Sequence, residues 1–301
     1  MSFLYRVSGL RIASDRRFAL LAGVPDEGGA PDVTIRFAPV PEEEGRACGY
    51  FRILGPERLD LAIPDVVRVR IAGGREMTVD MAPGAAEGAL QTYLFGPAFA
   101  ALLYQRGQIP LHAGAVRLDG EGAVAVAGHS RAGKSTTTRA LMRAGHALFC
   151  DDQLVVDAAT GLAQAGFPAL KLWGGALAHF GEEIGARAQV AQGVDKYHVA
   201  APGGFDLSPA RLRAVCILAP DAEIRAPSLS RLPVPEAVAA LGMLAHHAYV
   251  ADAIGRRGDL FRFSAALAGR VPVYLLSRPD DLAGLDLVID RVREAGRTAA
   301  A

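Results

Sequence analysis

Lysine is nearly absent from this 301-residue sequence. Only Lys134, Lys171 and Lys196 are present, and the other 29 of its 32 basic residues are arginine. A chain that uses arginine wherever a plain positive charge suffices marks its few lysines as places where a compact ammonium is needed. Cysteine is almost as scarce. Cys48, Cys150 and Cys216 are scattered, odd in number and without CxxC spacing, which excludes a disulfide framework or a cysteine-built zinc site and suits a reducing compartment. Neither charge is in excess, with 32 acidic against 32 basic residues. No bulk field draws the chain to nucleic acid or to an anionic membrane, so a compact ligand is expected. Long apolar runs are missing as well. The longest, Leu94 to Tyr104, is broken at Gly96 and Pro97, and the first residues lack an apolar export core. No membrane span is indicated, and a cytoplasmic location is expected.

What remains is the composition of an ordinary globular protein, 51% hydrophobic and 21% charged, long enough for one large domain or two modest ones. Residues 1–105 read as a β-rich region. Val33 to Phe37 alternates, as do Leu59, Leu61, Ile63 and Val67, Val69, Ile71, and Gly73-Gly74 predicts a hairpin into Glu76 to Val79. Leu90, Leu94, Ala98 and Leu102 then take a helical period, bent at Pro97. Residues 106–301 read as α/β. Strands are expected at Leu111 to Leu118, Ala123 to Ala127, His146 to Cys150, Ala214 to Leu218 and Val271 to Leu276. A turn at Asp119 to Gly122 joins the first two, and Gly203-Gly204 reads as a loop. Helices are expected from Lys134 to Arg143, from Pro235 to Ile254, and at the end, where Leu285, Val288, Ile289 and Val292 form one stripe before a frayed tail.

Between the second strand and its helix lies Gly128, His129, Ser130, Arg131, Ala132, Gly133, Lys134 and Ser135, followed by Thr136. This fits G-x-x-x-x-G-K-[ST] at every fixed position and in the strand–loop–helix context that the P-loop requires. Gly128 and Gly133 free the backbone so that successive N–H groups point at phosphate oxygens. The helix N-terminus adds partial positive charge. Lys134 is placed to reach the β and γ phosphates, and the Ser135 hydroxyl to bind Mg²⁺. ATP and Mg²⁺ are the expected ligands. Arg131 is read as facing solvent, with a lean over the phosphates as the alternative.

Asp151 and Asp152 close the strand that follows the loop helix. Phosphoryl transfer needs a carboxylate on Mg²⁺ and an acceptor for the hydroxyl proton, and this pair can supply both. If Leu118 opposes Ala123, paired positions run back to set His112 opposite His129, where an imidazole could bond an aspartate or the γ-phosphate. A slip of one residue would turn it away.

Leu111 to Ala115, the loop Gly128 to Ser135, and Gly145 to Asp152 occur in the order and spacing of the HPr kinase/phosphorylase C-terminal domain, which the chain resembles from about Tyr104 to Asp157. Tyr104 to Gly107 and Val271 to Leu275 look like the branch found in lasso-peptide gene clusters. The resemblance implies a P-loop kinase core with a β-rich N-terminal region, and an ATP-dependent kinase acting on a serine of a peptide or protein, such as a lasso-peptide precursor. It also implies His112 beside the first aspartate, Asp151 as base and Asp152 as metal ligand, and, by analogy, a homo-oligomer. The phosphorylase-associated C-terminal signature and the N-terminal domain of the bifunctional enzymes are not found, so HPr itself and the reverse reaction fall outside what is implied.

Lys171 and Lys196 could hold a phosphate or the acceptor peptide, or be surface charges. Trp173, the single tryptophan, is read as core. His246 and His247 sit in an apolar helical stretch without a ligand at i+4 and are read as packed or exposed. Rival functions are a kinase for a free amino acid or sugar, and a nucleotide-responsive peptide-binding module with little catalysis.

Overall fold

The computed structural model describes residues 2–118, 122–201 and 205–298. The expected turn at 119–121, the Gly203-Gly204 loop and the tail beyond Thr298 lie outside them. Among the described residues, no helix is long and apolar enough to cross a membrane.

The chain is mixed α/β. Its first part forms an eight-stranded sheet from β1 (Phe3–Val7), β2 (Leu10–Ser14), β3 (Val33–Phe37), β4 (Arg46–Cys48), β5 (Phe51–Gly55), β6 (Arg58–Ile63), β7 (Val67–Ala72) and β8 (Glu76–Met81). Alternation builds it: Val67, Val69 and Ile71 are buried while Arg68 and Arg70 face outward. The predicted hairpin pairs Ala72 with Glu76 across Gly73 and Gly74, both at positive φ. The predicted bent helix is α1 (Glu87–Tyr93), a π-helical turn at Leu94–Ala98, and α2 (Phe99–Gln105), with Gly96 non-helical before Pro97.

The second part contains β9 (Pro110–Leu111), β10 (Ala113–Arg117), β11 (Gly122–Ala127), α3 (Lys134–Arg143), β12 (Leu148–Cys150), β13 (Leu154–Asp157), β14 (Leu162–Gln164), β15 (Ala169–Trp173), α4 (Gly174–His179) and β16 (Lys196–Ala200). It continues through β17 (Ala210–Asp221), β18 (Ser228–Arg231), α5 (Val234–Met243), α6 (Ala248–Ala253), α7 (Arg257–Ala268), β19 (Val273–Pro279) and α8 (Leu285–Thr298). Strands β11, β17 and β19 run parallel at the centre of its sheet. Val124, Val126 and Cys216 face α3 and α8 on one side, while Ala123, Ala125 and Val215 face α5 and α7 on the other. Continuous apolar runs such as Gly122–Ala127 are what such a doubly covered strand needs. The last helix buries its predicted stripe against this sheet.

Three expectations are corrected. The strand from Leu111 to Leu118 is broken at His112, and β10 pairs with β11 so that Arg117 opposes Ala123 and Ala113 opposes Ala127. The register is one residue away from the Leu118–Ala123 pairing, because Leu118 N–H instead bonds the Gly122 carbonyl at 2.9 Å. The helix expected from Pro235 to Ile254 is interrupted between Met243 and Ala248, with His247 at φ 54. Tertiary pairing overrides its periodicity. Ala245 bridges Leu111, His112 N–H donates to the Leu244 carbonyl at 2.6 Å, and His246 N–H donates to the Pro110 carbonyl at 2.8 Å.

The core of the first sheet also takes in residues from beyond position 105. Ile109, Val155, Phe167, Ala245 and Val250 pack with the buried face of the first sheet and with α2. Tyr104 sits at this junction, fully buried, and its hydroxyl donates to the His246 carbonyl at 2.7 Å. Tyr104→Phe leaves that carbonyl with one partner fewer and is expected to lower unfolding stability by about 1–3 kcal/mol in urea titration. A change within error would show that the junction does not depend on this bond.

Candidate functional site

The loop after β11 is shaped from within. Gly128 and Gly133 have φ of 144° and 96°, and Arg131 has φ 68°. A Cβ on Gly128 would lie 3.1 Å from the Leu218 carbonyl, and one on Gly133 would lie 2.8 Å from the Arg278 guanidinium. Lys134 Nζ donates to the carbonyls of Gly128 and His129, both at 3.0 Å, so the loop curls around its own ammonium. Burial lowers the Lys134 pKa against the pull of Asp152 and Asp151. Gly133 precedes α3 in a left-handed conformation and gives the helix no side-chain cap. Arg278 was not identified from the sequence. It is buried at the end of β19 and donates to the Ala132 carbonyl at 2.8 Å and the Pro279 carbonyl at 2.6 Å, tying the loop to the central sheet.

The two aspartates arrive beside this loop. β12 ends at Cys150, and Asp152 takes φ 70° while Gln153 N–H bonds the Asp151 carbonyl at 2.8 Å. This γ-turn removes the strand alternation that would have sent the carboxylates to opposite faces. Asp151 is buried. Its Oδ1 accepts the Ser135 hydroxyl at 3.1 Å and its Oδ2 accepts the Lys171 N–H at 2.9 Å. Burial, and then the charge of Asp152, push its carboxyl above the ordinary range. Asp152 is half-buried and faces the cavity. Burial would raise it too, but the Lys171 ammonium, 2.6 Å from Oδ2, more than compensates and holds it well below the ordinary range.

Histidine 112 lies 3.5 Å from Asp152 through Nδ1 and Oδ1. It therefore stands beside the second aspartate, not the first as the resemblance implied, and it reaches that place through the break between β9 and β10. Its ring stacks on His246 at 2° between planes, with the two Nδ1 atoms 2.6 Å apart. For His246 this corrects the expectation of an ordinary packed or exposed ring. Its partners come from other segments, which i+4 spacing cannot reveal. Burial lowers His112 to about 4 and His246 well below its usual value, despite the attraction of Asp152.

A cavity of about 410 Å³ opens in front of these groups, lined by Ser130, Arg131, Gly133, Lys134, Ser135 and Thr136 from the loop and helix, and by His112 and Asp152. Gly128, His129 and Ala132 do not line it; they set the loop's curvature. The far wall is Lys171, Leu172 and Trp173 of β15 with Lys196 of β16. Lys171 is buried and is not a surface charge. Despite burial, Asp152 and Asp151 raise its pKa. Trp173 is not core. It is 42% exposed, with the Arg131 guanidinium 5.9 Å and the Lys196 ammonium 5.6 Å from its ring centre. Leu170 and Leu172 occupy the apolar cluster with Leu148 and Leu177, so alternation along β15 sends Lys171 and Trp173 the other way.

No protein-family model matches the chain, and no curated protein matches it either.

Removing one member of a buried pair strands the other charge. Lys171→Met is expected to cost about 3–5 kcal/mol in chemical denaturation, and the loss should shrink when Asp152 is changed to Asn in the same chain. An additive double mutant would refute the coupling. Acid should also destabilise the fold. His112 and His198 have folded pKa values of about 4, and His246 is lowered as well. Between about 4 and the ordinary value near 6.5 the unfolded chain binds more protons, so stability falls as pH drops through that window and is level above it. Melting temperature against pH checks this, and a flat profile from 7 to 4.5 would contradict it.

Proposed function

We propose that the protein is an ATP-dependent serine kinase with a P-loop core of the HPr-kinase type, transferring the γ-phosphate to a hydroxyl of a peptide or protein. One observation carries the reading: the Ser135 hydroxyl at the start of α3 meets Asp151 at 3.1 Å, with Asp152 next to it facing the cavity. Loop, hydroxyl and carboxylates are the minimum set for holding a triphosphate and its metal while orienting a nucleophile.

The donor set fits Mg²⁺, which prefers hard oxygen ligands. Ser135 Oγ and Asp151 would hold it, and the raised pKa of Asp151 is that of a buried carboxylate short of cationic partners. When bound, the ion supplies charge neutralisation at the phosphates. The division of labour is thereby the reverse of the one the family resemblance implies. Asp152 faces the cavity and stays ionised beside Lys171, so it is placed to accept the hydrogen bond of an attacking hydroxyl. A carboxylate this acidic is a weak base, so its role is to orient the nucleophile while Lys134, Arg131 and the loop amides stabilise charge on the transferred group. His112 holds the free side of the Asp152 carboxylate.

Incubating the protein with γ-labelled ATP and a serine-containing precursor peptide tests the reading. Label on the peptide serine supports it; label on a small metabolite, or none transferred at all, overturns it. Lys134→Met is expected to abolish transfer. Asp152→Asn should lower kcat by about 10²–10⁴-fold with little change in the Mg²⁺ requirement. Asp151→Asn should instead raise the Mg²⁺ concentration needed for half-maximal rate. If the two asparagine variants exchange these phenotypes, the assignment of roles is inverted.

A further inference from the structure

His112, Asp152 and His246 come from three distant segments, yet each offers a ligand atom within 4.8 Å of the others. The phosphotransfer reading uses Asp152 and gives His112 a supporting part; it has no use for His246. We propose that these three side chains form a binding site for a first-row divalent transition ion of the Zn²⁺ or Co²⁺ class, separate from the oxygen-lined position beside Ser135 and Asp151.

The argument begins with the nitrogens. Two imidazoles that meet through the same atom, Nδ1 to Nδ1 at 2.6 Å, must share one proton, one ring donating and the other accepting. The neutral imidazole is the ligating form. The third ligand is a carboxylate. Asp152 Oδ2 is engaged by Lys171 at 2.6 Å, leaving Oδ1, 3.5 Å from His112 Nδ1, to bind through a single oxygen. Two imidazoles and one carboxylate are a common donor set for zinc and leave a position open for water or substrate. That side here faces the cavity, which His112 and Asp152 line.

The frame is rigid on one side and adjustable on the other. His246 is buried, its N–H held by the Pro110 carbonyl at 2.8 Å and its carbonyl by Tyr104 at 2.7 Å. The His112 side chain is 28% exposed and borders the cavity. Metal–nitrogen bonds of about 2.0–2.1 Å set tetrahedral nitrogens roughly 3.3 Å apart, so His112 has to swing outward by less than about 1 Å. Binding needs both Nδ1 lone pairs. The ring that carried the shared proton therefore passes to its Nε2–H tautomer through solvent, with no net proton released. If phosphotransfer proceeds as proposed above, the ion occupies the carboxylate oxygen that orients the acceptor, and the two exclude each other.

Titrating the nucleotide-free full-length chain with Co²⁺ tests the site without calling on the kinase reading. The expected result is one equivalent bound with the intense visible absorption of four- or five-coordinate Co²⁺. His246→Ala and His112→Ala should each weaken it by at least the roughly 10–100-fold that even outer-shell changes cost. Ser135→Ala should leave it unchanged. Circular dichroism verifies that each variant is folded, and the half-exposed His112 position carries the test if His246→Ala is not. Weak six-coordinate absorption, binding indifferent to both histidine variants, or binding lost only in Ser135→Ala would overturn the proposal.

Discussion

A partly buried ion pair organises the site. Lys171 Nζ and Asp152 Oδ2 stand 2.6 Å apart, and the backbone N–H of the same lysine is bonded to Asp151. One residue of β15 thus grips both members of the acid turn, by its side chain on one and its main chain on the other. Taking two charges out of water costs several kcal/mol per ion, and the pair offsets this only with good geometry and further hydrogen bonds. Without Lys171, Asp152 would face a low-dielectric wall alone and would protonate or turn outward. Its ionised state, the γ-turn that presents it, and the position of β15 across the cavity are one arrangement.

A second constraint sets the histidines. The chain crosses itself where Leu244 to His246 lies against Pro110 to His112, and main-chain bonds at 2.6 and 2.8 Å fix the crossing. Each strand end would otherwise carry unsatisfied backbone groups in a buried place, which is costly. Satisfying them interrupts β9–β10 at His112 and α5–α6 at His246 together, and brings the two rings into a stack. Local regularity is given up at two points to complete one polar cluster. Irregular backbone beside a candidate site is where such exchanges are expected.

This explains what could be read in advance. The strand–loop–helix turn at Gly128 to Ser135 was legible because its glycines and lysine stand at fixed, local offsets. Strands β6 to β8, helix α3 and the stripe of α8 were legible from periodicity for the same reason. Asp151 and Asp152 were legible as a pair, but their separate environments were not, since these depend on Ser135, Lys171 and His112, which reach them from three elements. His246 gave no signal, because its partners lie 94 and 134 residues away in sequence. Trp173 misled because a lone tryptophan in an apolar stretch usually packs inward; here Leu170 and Leu172 take the inward places. Arg278 was one arginine among 29, and scarcity, the clue that marked the lysines, could not mark it.

Gln153, the residue that completes the acid turn, donates through Nε2 to the carbonyls of Phe95 and Gly96, at 3.0 and 2.6 Å. Both carbonyls lie at the kink around Pro97, where Gly96 leaves the helical conformation. The bend in the N-terminal helix is therefore the anchor point for the neighbour of the two carboxylates. A piece of the protein starting at residue 106 would keep every loop and acid discussed above and still lose that anchor, leaving a buried amide without acceptors directly beside Asp152. The bent helix of the first part is, in this sense, the rear wall of the site: it holds the side chain of the residue next to the two carboxylates.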